Sequence, residues 1–170
     1  YTPIKRIEDS IKAFEILHKI HPEYRLKIIW NPQDQKYTET LTSLVNEKNL
    51  NSAISFIEYS ENDISYQLAE SEIMLVSSKK EWFWLIVLEG NASGLPVIAY
   101  DVAGLRDSVI DGKNWVLVPS WDYIAMWWKL MTFVEDWQLL TSLSKSSLQY
   151  IKTYPWWDER YTEFKKIILL

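Results

Sequence analysis

Two glutamates, Glu81 and Glu89, bracket the stretch E-W-F-W-L-I-V-L-E. An apolar strand is expected over Ile73 to Ser77. It leads through Ser78-Lys79-Lys80-Glu81 into a helix expected from Leu85 to Ser93, with Gly94 as its stop. The first N–H groups of such a helix have no partner within it, and its dipole is positive at that end. An anion such as a diphosphate suits that position. Glu81 lies before the helix, and Glu89 is about the fifth residue of it, roughly 6 Å along the axis. A carboxylate does not bind phosphate, but it accepts well from hydroxyls. The pair therefore suits a ligand with hydroxyls on both sides of a diphosphate, the shape of a nucleotide sugar. Spacing alone favours solvated surface charge, since two glutamates eight apart are common and most charged helical residues are solvated. Lys79 and Lys80 read as solvated, and His18 and His21, on or just after a surface helix, as neither catalytic nor metal-binding.

The elements that would position this stretch follow from the periodicity. Ile7, Ile11, Phe14, Leu17 and Ile20 share one face of a first helix, ended by His21-Pro22. Leu26 to Ile29 is a strand, and Tyr37, Leu41, Leu44 and Val45 mark a second helix. Ala53 to Ile57 is a strand, Ile64 to Glu70 a short helix, and Ile73 to Ser77 a third strand. After the helix from Leu85, Pro96 to Tyr100 is a fourth strand. Leu105 to Ile110 is one or two helical turns, 111–114 a turn, and Trp115 to Val118 a fifth strand. Helices follow over Asp122 to Glu135, Asp136 to Thr153 and Asp158 to Leu169. Short strands, apolar on both faces and alternating with helices, predict an α/β fold with a doubly wound, Rossmann-like parallel sheet. Ligands of such sheets bind beyond the carboxyl ends of the strands.

The whole-chain properties bound the function. At 170 residues the chain fits one domain, 1–170. A net charge of −5 without a basic run argues against nucleic acid or an anionic membrane as partner. Cysteine is absent, which excludes disulfides and Cys-based metal sites. No apolar run approaches the ~20 residues of a membrane span. The chain has 10 Trp and only 4 Gly, where average usage predicts about 12 Gly.

Glu81 to Tyr100 resembles the donor-binding signature of retaining GT-B glycosyltransferases of glycosyltransferase family four, E-G-F-G-x-x-x-x-E-A-x-A-x-G-x-P-V-I-A. Lys5 with the helix Ile7 to Ile20, Leu26 to Pro32, Ile54 to Tyr59, Gly104 to Asp107, Asp111 to Pro119 and Trp157-Asp158 resemble further family segments in order. Ser77-Ser78 stands where Pro-Ser is usual. The resemblance implies the C-terminal, donor-binding half of a GT-B fold, which transfers a sugar from a UDP- or GDP-linked donor with retention of configuration. It implies that Glu81 binds the transferred sugar's hydroxyls and that Lys5 neutralises the diphosphate. Backbone N–H groups of Trp82, Phe83, Trp84 and Leu85, continued by Ile86 and Val87, would face the sugar and diphosphate. Glu89 would hold the ribose, and Glu58 and Tyr59 would lie near the base. It also implies no metal or cofactor, and an acceptor held by an N-terminal half that lies outside 1–170. The location implied is cytoplasmic, with any contact to the inner membrane face made through that half. A non-catalytic module of the same fold and a GT-B nucleotide-sugar epimerase are the alternatives.

Two departures from the pattern stand out. The strand that precedes Lys5 in the family, expected to be central in the sheet, is missing. Trp30, Trp82, Trp84 and Trp115 occupy family glycine positions, where positive φ or close backbone approach is needed. Either these tryptophans are real in a degenerate module, or they turn outward, or their codons are UGA in a code that reads UGA as glycine. The last is the expectation, because Trp and Gly together come close to the ~12 glycines of average usage.

Overall fold

The computed structural model describes residues 3–30, 34–60, 64–80, 85–103, 105 and 115–153. A 3-10 turn, Pro3–Lys5, leads into α1, Ile7–Ile20. Then come β1, Leu26–Trp30; α2, Gln35–Glu47; β2, Ile54–Glu58; α3, Ile64–Ala69; and β3, Met74–Val76. They are followed by α4, Leu85–Ala92; β4, Val97–Tyr100; β5, Trp115–Val118; α5, Tyr123–Glu135; and α6, Trp137–Lys152. The expected strands and helices are present within a residue or two. The turn at 111–114, the helix expected over Asp158 to Leu169 and most of the one expected over Leu105 to Ile110 fall outside the described residues.

Local chemistry sets the boundaries. Asp34, Asp122 and Asp136 each accept a backbone N–H three residues on, at 3.0, 2.8 and 2.9 Å, and so cap α2, α5 and α6. Gly94, at φ 75°, takes the left-handed turn after α4. Gly90 lets α4 sit against β3, since a Cβ there would lie 2.6 Å from the Met74 sulfur. On α1, Ile11, Phe14 and Leu17 are buried as expected, but Ile20, the last residue of the helix, is 53% exposed.

All described strand pairs are parallel. They form two sheets, β1-β2 and β3-β4-β5. β4 is buried along its whole length and is contacted by both α4 and α5, so it is covered on both faces. α1 packs on α2 and α5, and α4 packs on α6. Among the described residues no ladder joins β1 to β3. Their starts nevertheless lie at the same end, because Lys27 of β1 pairs with Glu70, just before β3, at 2.9 Å. Between the two sheets runs a cavity of about 870 Å3.

Candidate functional site

The site follows from the carboxyl ends of the strands. At the end of β3, the Ser77 hydroxyl is shared between the carbonyls of Lys5 and Arg6, at 3.1 and 2.8 Å, and accepts from the Ser10 hydroxyl at 2.9 Å. The Lys79 N–H donates to the Ile4 carbonyl at 2.8 Å. In the first turn of α2, the Tyr37 hydroxyl accepts from the Ile7 N–H at 2.9 Å and donates to Glu8 at 2.6 Å. The turn carrying Lys5 is thus tied to the end of β3, and the start of α1 to the first turn of α2.

A second set of bonds holds Arg6. Its backbone is left-handed, at φ 47°, which a non-glycine residue adopts only at a cost of about 1–2 kcal/mol. Its guanidinium donates twice to Asp9, at 2.6 and 3.0 Å. Asp9 is 1% exposed and also accepts from the Tyr100 hydroxyl at the end of β4, at 2.9 Å. The hydrogen bond to Asp9 raises the Arg6 guanidinium above its ordinary pKa. Burial, with Asp9 beside it, pushes the Tyr100 phenol well above the usual tyrosine range, and burial with Glu8 does the same to Tyr37. After β5, Trp121 lies under two cations, Arg6 at 4.3 Å and Lys79 at 4.8 Å from the ring centre.

Of the residues expected to act, Lys5, Tyr59, Ile86 and Glu89 line one cavity, although they come from four different parts of the chain. Glu58 is exposed and outside that lining. Leu85 begins α4. Glu81, Trp82, Phe83 and Trp84 lie outside the described residues. His18 stacks on Phe14 at 5.4 Å, His21 faces Glu23, and neither histidine lines the cavity. No group of metal-binding side chains occurs among the described residues, nor any helix long and apolar enough to cross a membrane.

Sequence reasoning missed Arg6, Asp9, Ser10, Ser77, Tyr100 and Trp121. A signal was available: Ser10 sits on the helical face of Phe14 and Leu17, where a polar side chain needs a buried partner. Of the tryptophans at family glycine positions, Trp115 is completely buried, and its indole N–H has no hydrogen-bond partner among the described residues. Trp121, not among those four, has the left-handed φ of 72° that favours glycine.

Comparison with known proteins gives the chain a family. The glycosyl transferases group 1 pattern matches residues 1–149. D-inositol 3-phosphate glycosyltransferase of Corynebacterium glutamicum is 29% identical over 160 residues, covering 91% of this chain and 38% of that protein. N-acetyl-alpha-D-glucosaminyl L-malate synthase of Bacillus anthracis is 24% identical over 151 residues, covering 89% and 38%. Among solved structures, the pneumococcal O-GlcNAc transferase GtfA, in complex with UDP and GlcNAc, superposes with a TM-score of 0.80 at 25% identity. The match covers 97% of this chain and 33% of that one. The C-terminal domain of the group 1 glycosyl transferase LpcC of Francisella tularensis superposes at 0.81 with 24% identity, covering 90% and 80%. The chain spans well under half the length of these curated relatives. It belongs to the glycosyl transferases group 1 family, and its fold is that family's Rossmann-like α/β domain.

Proposed function

We propose that this chain is the donor-binding half of a glycosyltransferase that takes a hexose from a UDP- or GDP-linked sugar. Family membership supports this reading, and one observation carries it. Lys5, Tyr59, Ile86 and Glu89 line one cavity that runs along β1 and β3, with Lys5 tied to the carboxyl end of β3 through Ser77, the end at which open α/β sheets bind ligands. UDP complexes are known for solved structures of the same fold.

In this reading the Lys5 ammonium and the first N–H groups of α4 face the diphosphate. Glu89 accepts from the ribose hydroxyls, Glu81 from hydroxyls of the transferred sugar, and Glu58 and Tyr59 border the base. The bond from the anomeric carbon to the phosphate oxygen breaks, and a bond from that carbon to the acceptor oxygen forms on the same face. The acceptor's proton leaves on a departing-phosphate oxygen. The charge that develops on the diphosphate is the quantity stabilised, chiefly by Lys5 and the helix end. A half of the protein beyond 1–170 holds the acceptor. No metal or cofactor is required, and the protein works in the cytoplasm.

The test is calorimetry of the full-length protein with UDP and GDP, then donor turnover, with the product's anomeric configuration read by NMR. Saturable binding of one nucleotide, weakened at least about tenfold by Lys5→Ala, is the expected result. Transfer with retained configuration completes it. Failure of both nucleotides to bind overturns the reading. Binding without turnover makes the protein a non-catalytic module, and an epimerised sugar as product makes it an epimerase.

A further inference from the structure

We propose that Lys79 and Arg6 form an anion subsite at the carboxyl ends of β3, β4 and β5, outside the donor cavity, and that this subsite takes a phosphate or carboxylate group of the acceptor. The words donor and acceptor rest on the function proposed above. The subsite itself rests on three observations.

The first is convergence. β3, β4 and β5 are neighbours in that order, and each contributes one part of the subsite. β3 ends at Val76, and Ser77 and Ser78 are buried before the chain surfaces at Lys79. The Lys79 N–H donates to the Ile4 carbonyl at 2.8 Å, which fixes its backbone beside the turn that carries Lys5 and Arg6. β4 ends at Tyr100, whose hydroxyl donates to Asp9, and Asp9 in turn holds the Arg6 guanidinium. After β5 comes Trp121, over whose ring both cations stand, Arg6 at 4.3 Å and Lys79 at 4.8 Å from its centre. The ring locates the two charges in one place; the charges do not depend on it.

The second is a local excess of positive charge on a chain whose net charge is −5. Asp9 is the buried carboxylate here, and it is shared between Arg6 and Lys12, the latter at 3.7 Å. Asp122, beside Trp121, accepts from the Ala125 N–H as the cap of α5. Lys79 is exposed, and among the described residues it has no ion-pair partner. The Arg6 guanidinium has five N–H donors. Two go to Asp9, and the side chain still reaches solvent, at 19% exposed. An ammonium and the free edge of a guanidinium, side chains suited to phosphate and carboxylate oxygens, are thus presented together.

The third is separation from the donor. Lys5, Tyr59, Ile86 and Glu89 line the cavity, whereas Arg6, Lys79 and Trp121 do not. Arg6 nevertheless follows Lys5 directly, so the subsite adjoins the cation that faces the departing diphosphate in the proposed reaction. The second substrate must meet the donor at that point. An anionic group held by Lys79 and Arg6 therefore belongs to the acceptor, and it would place an acceptor hydroxyl near the transferred sugar. The same charges would steer an acidic acceptor to a chain that repels it elsewhere.

The test uses the full-length protein with its lysines converted to isotope-labelled dimethyl-lysines, which keep their charge. The NMR signal of Lys79 is identified by its loss in Lys79→Gln. Three probes of one carbon skeleton, glycerol phosphate, glycerate and glycerol, are titrated into protein saturated with UDP or GDP. We expect at least one of the two acids to shift the Lys79 signal saturably, while glycerol does not and the signal of Lys145, on α6, stays in place. The tighter of the two acids names the anion. Calorimetry should show that acid bound at least about tenfold more weakly by Lys79→Gln and about as tightly by Lys79→Arg, with nucleotide binding unchanged in both. Acids that move Lys79 no more than Lys145 overturn the proposal. An acid that binds only by displacing the nucleotide also overturns it, because the cations then belong to the diphosphate. Failure of both nucleotides to bind removes the donor reading and the acceptor role with it, and the same titration of nucleotide-free protein then decides whether the anion subsite stands.

Discussion

Removing the carboxylate of Asp9 should do two separable kinds of damage. Asp9 is 1% exposed and receives two bonds from Arg6 and one from Tyr100. In Asp9→Ala the Tyr100 hydroxyl is left buried without an acceptor, at a cost of about 1–3 kcal/mol. Breaking a fully buried ion pair costs about 3–5 kcal/mol. The Arg6 side chain is 19% exposed and can rehydrate, so its share falls to about 1 kcal/mol, in the range of solvent-reaching pairs. The total is about 3 kcal/mol. Tyr100→Phe alone removes one bond, worth about 1 kcal/mol, and leaves Asp9 with Arg6. In the double variant the orphaned hydroxyl no longer exists, so the combined cost should be about 2 kcal/mol less than the sum of the singles. That exceeds the ~0.3–0.5 kcal/mol within which independent sites add. Urea unfolding of the complete protein, following the transition of this domain, gives the four stabilities, and UDP calorimetry tests whether the Lys5 turn loosens with them. Additivity within about 0.5 kcal/mol would refute the claim that the hydroxyl and carboxylate form one buried unit.

Three further outcomes are expected. Glu89→Ala should weaken nucleotide binding and Glu81→Ala should lower turnover in the full-length enzyme, each by a charge-assisted hydrogen bond of about 1.5–3 kcal/mol; parental values for both would make the pair solvated bystanders. Stability should fall as pH rises above about 10, because the folded state holds Tyr37 and Tyr100 above their ordinary pKa, chiefly by burial, while the unfolded chain loses those protons first. The stabilising contribution is complete below that pH, and the loss should be shallower in Tyr100→Phe; identical slopes of urea midpoint against pH would count against it. The codons at 30, 82, 84, 115 and 121 are expected to be UGA in a glycine-decoding organism. UGG at these positions rules that out, and Trp84→Gly should then restore donor binding if the indole blocks the loop.

Most of the fold is legible in the sequence because its signals are local. Trp115–Val118 begins and ends where its apolar run does, and Asp122 and Asp136 mark helix starts by their capping chemistry. β3 is one residue shorter at each end than the strand expected over Ile73 to Ser77, and just past it the Ser77 hydroxyl bonds to the carbonyls of Lys5 and Arg6. The split of the strands into two sheets is foreshadowed by resemblance to a family pattern, not by periodicity, since hydrophobic period says nothing of which strands are neighbours. Lys5 and Glu89, singled out through the resemblance, line one cavity, and their roles there belong to the proposed function.

The support around Lys5 is not legible, and the reason is physical. Asp9 and Tyr100 are 91 residues apart, and Ser10 and Ser77 are 67 apart. A polar residue on an apolar helix face announces that a partner is needed, but not which strand end supplies it. Here the partners come from β3 and β4, two adjacent strands whose carboxyl ends both reach the first turn of α1. The residues that hold Lys5 beside the cavity are therefore the same ones that hold the first turn of α1 to the strand ends. Loosening Asp9 or Ser77 should disturb both that packing and the position of Lys5, which links the stability of the domain to the chemistry proposed at its edge.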